Sequence, residues 1–381
     1  MSVDIRRGLA RAVPAVVLAC LLLPASSGCG ERTLPKPVAL PSPAPTVTVA
    51  GPFEKLSQYG LFEGDAKNQA PVEGVIPYDL NSALFSDYAE KFRFIKLPAG
   101  THASYSDPGP FDFPVGTVIA KTFAYPTDAR DPSKGRRLIE TRILKRESDG
   151  WVGLPYIWDA EQTDATLDVA GDMVDVRWID AQGRERTNNY IIPNVNQCKG
   201  CHKSGETMTP IGPKARHLNR DFAYREGTEN QLVHWIRIGA LVDAPAPDRV
   251  PRSAVWDDRK SGTLDERARA WLEINCAHCH NPNGPARSNG LDLTASQRDP
   301  AAIGVNKPPV AAGIGSGGRL YDIVPGRPDE SILAYRIAST HPGVMMPELG
   351  KRLVHEEGVA LVREWIAAMT AASASPVREP H

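Results

Sequence analysis

The chain has 381 residues, 41% of them apolar, enough to bury two or three ordinary cores and unlike a disordered tail. Its 44 basic and 45 acidic residues leave a formal charge of −1, which excludes the strongly basic footprint of a nucleic-acid binder. The 34 prolines, roughly 9% of the chain against a usual ~5%, imply many irregular connections rather than long helices.

Residues 1–29 read as an export signal, because Arg6, Arg7 and Arg11 precede an apolar run from Ala12 to Leu23 and then small residues. That run is shorter than the about 20 apolar residues needed to cross a bilayer. Ser26-Ser27-Gly28-Cys29 is similar to the end of a lipoprotein signal, with Ser26 where a larger aliphatic residue is usual. Cys29 is therefore the expected lipid-attachment residue, with simple cleavage of the signal as the alternative, and Cys20, inside the apolar run, the weaker candidate. Residues 30–52, rich in Pro, Val, Ala and Thr, form a semi-extended linker that would hold a folded body off a membrane surface. These features place the chain outside the cytoplasm, periplasmic or at the cell surface, with a lipid anchor in a bacterial outer membrane.

Residues 53–195 contain no cysteine, and segments such as KFRFIKLP, GTVIAKTFAYP and RRLIETRILKR alternate in the manner of strands. A hairpin is expected at Asp180-Ala181-Gln182-Gly183. The reading is an all-β, sandwich-like domain. Glu140, Arg142, Asp159, Glu161 and Asp164 invite an active-site interpretation, but alternating charge on strands usually marks the wet face of a sheet. No catalytic set stands out.

Four of the six cysteines form two C-x-x-C pairs, each followed at once by histidine: Cys198, Cys201, His202 and Cys276, Cys279, His280. In that spacing two thiols can add across the vinyl groups of a haem as thioethers, and the adjacent imidazole reaches the iron as an axial ligand. A zinc knuckle or a redox dithiol needs no histidine there, and export disfavours structural zinc. The expected cofactors are two covalently bound haem c groups, with His202 and His280 as proximal iron ligands.

The first haem unit is taken as residues 196–260. Thr228 and Gln231 read as a capping box opening a helix with Leu232, Val233, Trp235, Ile236 and Ile238. No methionine follows that helix before the second motif, so the candidates for a sixth ligand are Met208, His217 and His234, each of which more often packs in a core or faces solvent. A weakly ligated or five-coordinate first iron is the resulting expectation. Lys214, Arg216 and Arg220 are candidates for neutralising haem propionates, against the alternative of a solvated basic face. The second unit is 261–371, with 372–381 a tail. Thr263 and Glu266 form a capping box for a helix running into Cys276, and Val359, Val362, Trp365, Ile366 and Met369 recur at the spacing of a closing helix. Met346 is the expected distal ligand, with Met345 and His341 as competitors and core packing as the bland alternative.

The runs VPGRPDESIL, MMPELG and REWIAAM resemble the small bacterial class I cytochrome c domain. That resemblance implies a proline-glycine turn, a ligand methionine directly before Pro347, namely Met346, and a C-terminal Trp-Ile helix. In the first unit Gly212-Pro213 looks like the turn whose carbonyl accepts a hydrogen bond from the proximal imidazole in that family. The whole layout, with PYDLNSALFSDYA, FDFPVG, LPYIWDAEQTDA and IPNVNQCKGCH, resembles bacterial exported di-haem c-type cytochromes with an N-terminal β domain. The fold class implied is multidomain α+β, an all-β domain followed by two mainly α, class I-like cytochrome c units. The function implied is electron transfer between a redox donor and an acceptor protein. The alternatives are a di-haem peroxidase-like oxidoreductase using an open first haem, and a docking subunit of a larger electron-transfer complex.

Overall fold

The computed structural model describes residues 51–310 and 312–370. The export signal, Cys20, Cys29, most of the linker and the tail lie outside the described residues. Nine strands precede the first cysteine motif: β1 Val75–Tyr78, β2 Glu90–Lys96, β3 Ala103–Ser104, β4 Val118–Pro126, β5 Arg136–Glu147, β6 Gly150–Trp158, β7 Ala165–Leu167, β8 Asp172–Ile179 and β9 Glu185–Ile192. Six of them make one antiparallel sheet in the order β1-β2-β4-β5-β6-β7.

Alternation along these strands gives the sheet two different faces. Phe94, Ala120, Ile143 and Leu154 stand opposite one another across β2, β4, β5 and β6. Their face is buried with Leu56, Tyr59 and Leu61 from the start of the described chain. On the other face one row is apolar, Ile95, Ile119, Leu144 and Gly153. The next row is Arg93, Lys121, Arg142 and Pro155. β8 and β9 form a separate hairpin whose Trp178 and Tyr190 pack on Phe123 and Tyr125 of β4. Its turn falls where the sequence places it, with Asp180 Oδ1 accepting from the backbone of Gln182 and Arg184 and Gly183 at φ 80°. No second sheet of a sandwich is formed among the described residues, because the hairpin remains two-stranded.

Seven α-helices follow among the described residues: α1 Val195–His202, α2 Ala215–Leu218, α3 Gln231–Arg237, α4 Leu264–Leu272, α5 Pro300–Ile303, α6 Ile332–Ile337 and α7 Glu356–Ala368. The longest has 13 residues. The expected fold class, a sandwich-like domain plus two mainly α class I-like cytochrome c units, is therefore overturned. The chain is mostly β with a large antiparallel sheet, and no helical cytochrome c unit forms among the described residues. The physical reason lies in the composition of the later segments. NPNGPARSNG and NKPPVAAGIGSGG have no apolar period near 3.6, and proline and glycine at that density break helices into single turns. In the first motif's segment, residues 221–224 pair with 227–230 as a hairpin, so Thr228 lies in a strand and the cap of α3 is Asn230, whose side chain accepts from Leu232 N.

Packing follows non-local apolar matches. Leu218, Leu232, Trp235 and Leu241 share a core with Tyr78 and Ile95 of the sheet, and Trp235 is fully enclosed. Further along, α4 and α7 share Ala268, Trp271, Leu272, Val359, Val362, Trp365 and Ile366. Thr263 and Glu266 do cap α4 reciprocally. Among the described residues no helix is long and apolar enough to cross a membrane.

Candidate functional site

Asn194 and Gln197 cap α1 reciprocally, which starts the helix three residues before the first thiol. Cys198, Cys201 and His202 then stand at i, i+3 and i+4, one face of a two-turn helix. That helix lies on β6 at Gly153. A Cβ there would stand 3.1 Å from Cys198 Cβ and 3.3 Å from Met208 Cε, so the missing side chain is what lets the motif approach the sheet. His202 Nδ1 is 2.8 Å from the carbonyl of Thr209. An imidazole donating there keeps its Nε2 lone pair for a metal. The acceptor is Thr209, not the Gly212-Pro213 turn.

The second motif ends α4, which continues as a π-helical turn over Glu273–Ala277. The amides of Cys279 and His280 both donate to the carbonyl of Cys276. Gly284 is needed here too, since a Cβ would collide with the carbonyl of Cys279. The carboxamide of Asn289 stands 2.8 Å from His280 Nδ1, and its oxygen accepts from Leu291 N. A carboxamide can serve an imidazole as donor or acceptor according to which end faces it, and here the nitrogen does.

Both motifs open onto one cavity of ≈ 420 Å³, lined by Cys198, Cys201, His202, Cys276, His280 and Met346 among others. The loops after the two motifs touch, with Gly205 N donating to Asn283 O at 2.8 Å. No two of the four cysteines are joined as a disulfide. Burial pushes the thiols of Cys276 and Cys279 up to about 12 and raises those of Cys198 and Cys201. A redox dithiol requires the opposite shift, toward thiolate. His202 is held neutral by enclosure, its pKa pushed down to about 4, as a metal ligand requires. Among the described residues no group of three or more His, Cys, Asp or Glu is arranged to hold a metal ion.

Met346 reaches the cavity from a loop tied down by a buried lysine. Lys351 Nζ donates to the carbonyls of Ile337, Ser339 and Met346. Asp87, buried at the end of the 79–88 loop, accepts from the amides of Arg352 and Leu353 and so fastens the same loop to the β region. Met345 does not line the cavity, and His341 is exposed. For the first motif, Met208 packs at Gly153 beside Cys198. His234 lies outside the cavity lining, stacked on Tyr224 at 3.5 Å and bonded to Glu229. His217 is fully buried, with Nε2 3.8 Å from Glu273.

The structure brings to the cavity several residues that pattern reading passed over. Arg93, Lys121 and Arg142 line it, whereas Lys214, Arg216 and Arg220 do not. Arg216 and Arg220 instead pair with Asp107, Glu273 and Asp79. Glu140 is not on a wet face: it is fully enclosed and accepts from Tyr190 and Arg142. His278, between the second pair of cysteines, also lines the cavity, and its Nδ1 has no hydrogen-bond partner among the described residues. Three aligned cations on alternating positions were the available signal, but their register is invisible until the strands are paired. Comparison of the chain with protein-family models, with curated proteins and with solved structures finds no match.

Proposed function

We propose that this chain is a di-haem c-type cytochrome that passes electrons between a donor and an acceptor protein outside the cytoplasm, held at the outer membrane by a lipid on Cys29. The observation that carries this reading is the single apolar cavity onto which both Cys-x-x-Cys-His motifs open. A haem c at each motif supplies a one-electron couple. The residues present fit such a group. The thiols of Cys198, Cys201 and Cys276 face the cavity, His202 is oriented by Thr209, and Met346 offers a thioether on a braced loop. His280 lines the cavity as well, its Nδ1 accepting from Asn289 Nδ2.

The protein's own contribution is positioning and water exclusion. Leu144, Ile119 and Ile274 supply apolar walls, and a low local dielectric tunes a redox couple through burial and ligand identity. Two motifs sharing one cavity also give the short separation that electron passage within the chain requires. Intact mass of the mature protein tests the reading first, and the mass of two haems added to the polypeptide is expected. Redox titration should then resolve two couples, the higher belonging to the thioether-ligated site. A mature protein without added haem mass refutes the proposal.

A second reading, reduction of hydrogen peroxide at the first site, is favoured by His278, which lines the cavity with an unpartnered Nδ1 available for proton transfer. Peroxide-dependent oxidation of a reduced donor, lost in His278→Ala, would select it; turnover equal in the two proteins removes it.

A further inference from the structure

The sheet face that floors the cavity is organised in rows. Ile119, Leu144 and Gly153 stand opposite one another on β4, β5 and β6, and two residues along, Lys121 and Arg142, with Arg93 of β2, form a second row. Like charges directly opposite on neighbouring strands repel, and cations facing an enclosed space lose hydration. Such a row is stable when anions meet it. The protein provides too few: Asp79 is shared by Arg93 and Arg220, and Glu140 by Arg142 and the Tyr190 hydroxyl. Lys121 forms no ion pair among the described residues, its Nζ instead lying 4.8 Å over the Phe123 ring. Arg93 is only 4% exposed, and its Nη2 has no hydrogen-bond partner.

We propose that Arg93, Lys121 and Arg142 are the binding site for the two carboxylates on the edge of the haem carried by Cys198 and Cys201. The inference rests on the proposed function and assigns the first haem its orientation. A porphyrin with propionates is an apolar plate with two anions along one side, and this floor is an apolar row beside a cationic one. Strands spaced about 4.8 Å apart spread the three cations over ~10 Å, so two carboxylates can be met at once. The assignment to the first haem follows from contact. Gly153, which closes the apolar row at the β6 end, is the residue against which Cys198 packs. His280, in contrast, is bonded to Asn289 and lies in the segment with Arg336 and Lys351. The β sheet thereby acts as one wall of the cofactor site, not merely a neighbouring domain.

The test is made on the full-length, haem-loaded protein with Lys121→Met and Lys121→Arg. Loss of a cation about 10 Å from an iron favours the oxidised form by roughly tenfold, about 59 mV for a one-electron couple. One couple should fall by that amount in Lys121→Met, the other should stay, and Lys121→Arg should restore the parent value. Two haems by mass with both couples unchanged in Lys121→Met overturns the assignment, whereas absence of haem from the parent protein overturns the proposed function instead. If Lys121→Met does not mature, redox-difference infrared spectra of the parent and Lys121→Arg, with haem carboxylates labelled in carbon-13, decide the matter. Shifted carboxylate bands support the contact, and identical bands overturn it.

Discussion

Replacing Gly153 isolates the contact that seats the first motif. An alanine Cβ at this position would be 3.1 Å from Cys198 Cβ, 3.3 Å from Met208 Cε and 3.7 Å from Leu144 Cδ2. Carbon atoms pack best at ~3.5–4.0 Å, so α1 or the 203–209 turn must retreat by roughly half an ångström. Overpacking of this kind costs about 1–3 kcal/mol, of which a Gly→Ala change returns about 0.4–1 through the unfolded chain. The expected net loss in Gly153→Ala is about 1–2 kcal/mol, a fall in melting temperature of roughly 2–4 °C. Gly153→Val adds two further carbons and should lose more, with incomplete haem attachment at Cys198. Thermal unfolding followed by circular dichroism, with the haem-to-protein ratio and the redox titration, measures both parts. The change should fall on the first couple and spare the second, because the added carbon meets Cys198, Met208 and Leu144 first. A Gly153→Val protein that melts with the parent and carries two haems at parent potentials refutes the steric argument.

Three other perturbations follow from the same structure. Met346→Ala should lower one reduction potential and leave the other nearly unchanged, since a thioether opposite histidine raises the potential; an unaltered titration removes Met346 as a ligand. Asp87→Ala leaves the amides of Arg352 and Leu353 without their acceptor, at about 2–4 kcal/mol, and hydrogen exchange should rise over residues 346–353 but not over 198–209. Equal protection in the two proteins would show that the loop is held by something else. His355 accepts from Trp271 Nε1 at 3.0 Å and stacks on Phe85, and burial, with Lys91 and Lys351, pushes its pKa down to about 4 from 6.5. The unfolded chain therefore binds a proton that the folded one refuses between those values, and stability should fall as pH drops from about 6.5 to 4, by up to about 3 kcal/mol. Urea unfolding at pH 7 and pH 4.5 should show a smaller acid loss in His355→Phe than in the parent; equal losses would place the acid sensitivity elsewhere, His217 being the next buried imidazole.

Local chemistry was legible because it is written over a few adjacent residues. The turn at Asp180 to Gly183, the cap of α4 by Thr263 and Glu266 and the face shared by Cys198, Cys201 and His202 each need no more than five consecutive positions. The cap of α3 was misplaced by two residues for the same reason: Thr228 and Asn230 carry similar capping side chains, and the strand pairing of 227–230 with 221–224 chose between them. The helical units expected around each motif failed at longer range. Trp235 and Leu232 have the spacing of a packed helix wherever their partner lies, and the partner is the sheet, through Tyr78 and Ile95.

The helical face shared by Cys198, Cys201 and His202, the strand alternation and the cap of α4 could be read from the order of residues because each depends on neighbours bonded in sequence. The shared cavity, the cationic row and the close approach at Gly153 depend on strand register and on segments distant along the chain. Lys121 gives no sign of facing Arg93 and Arg142 until β2, β4 and β5 are aligned. Alternation puts those charges on the face that also carries Ile95 and Ile119, and water is the ordinary occupant of a charged row. Folding of the cysteine segments over the same face encloses it, turning a solvated row of charge into a wall of the cavity.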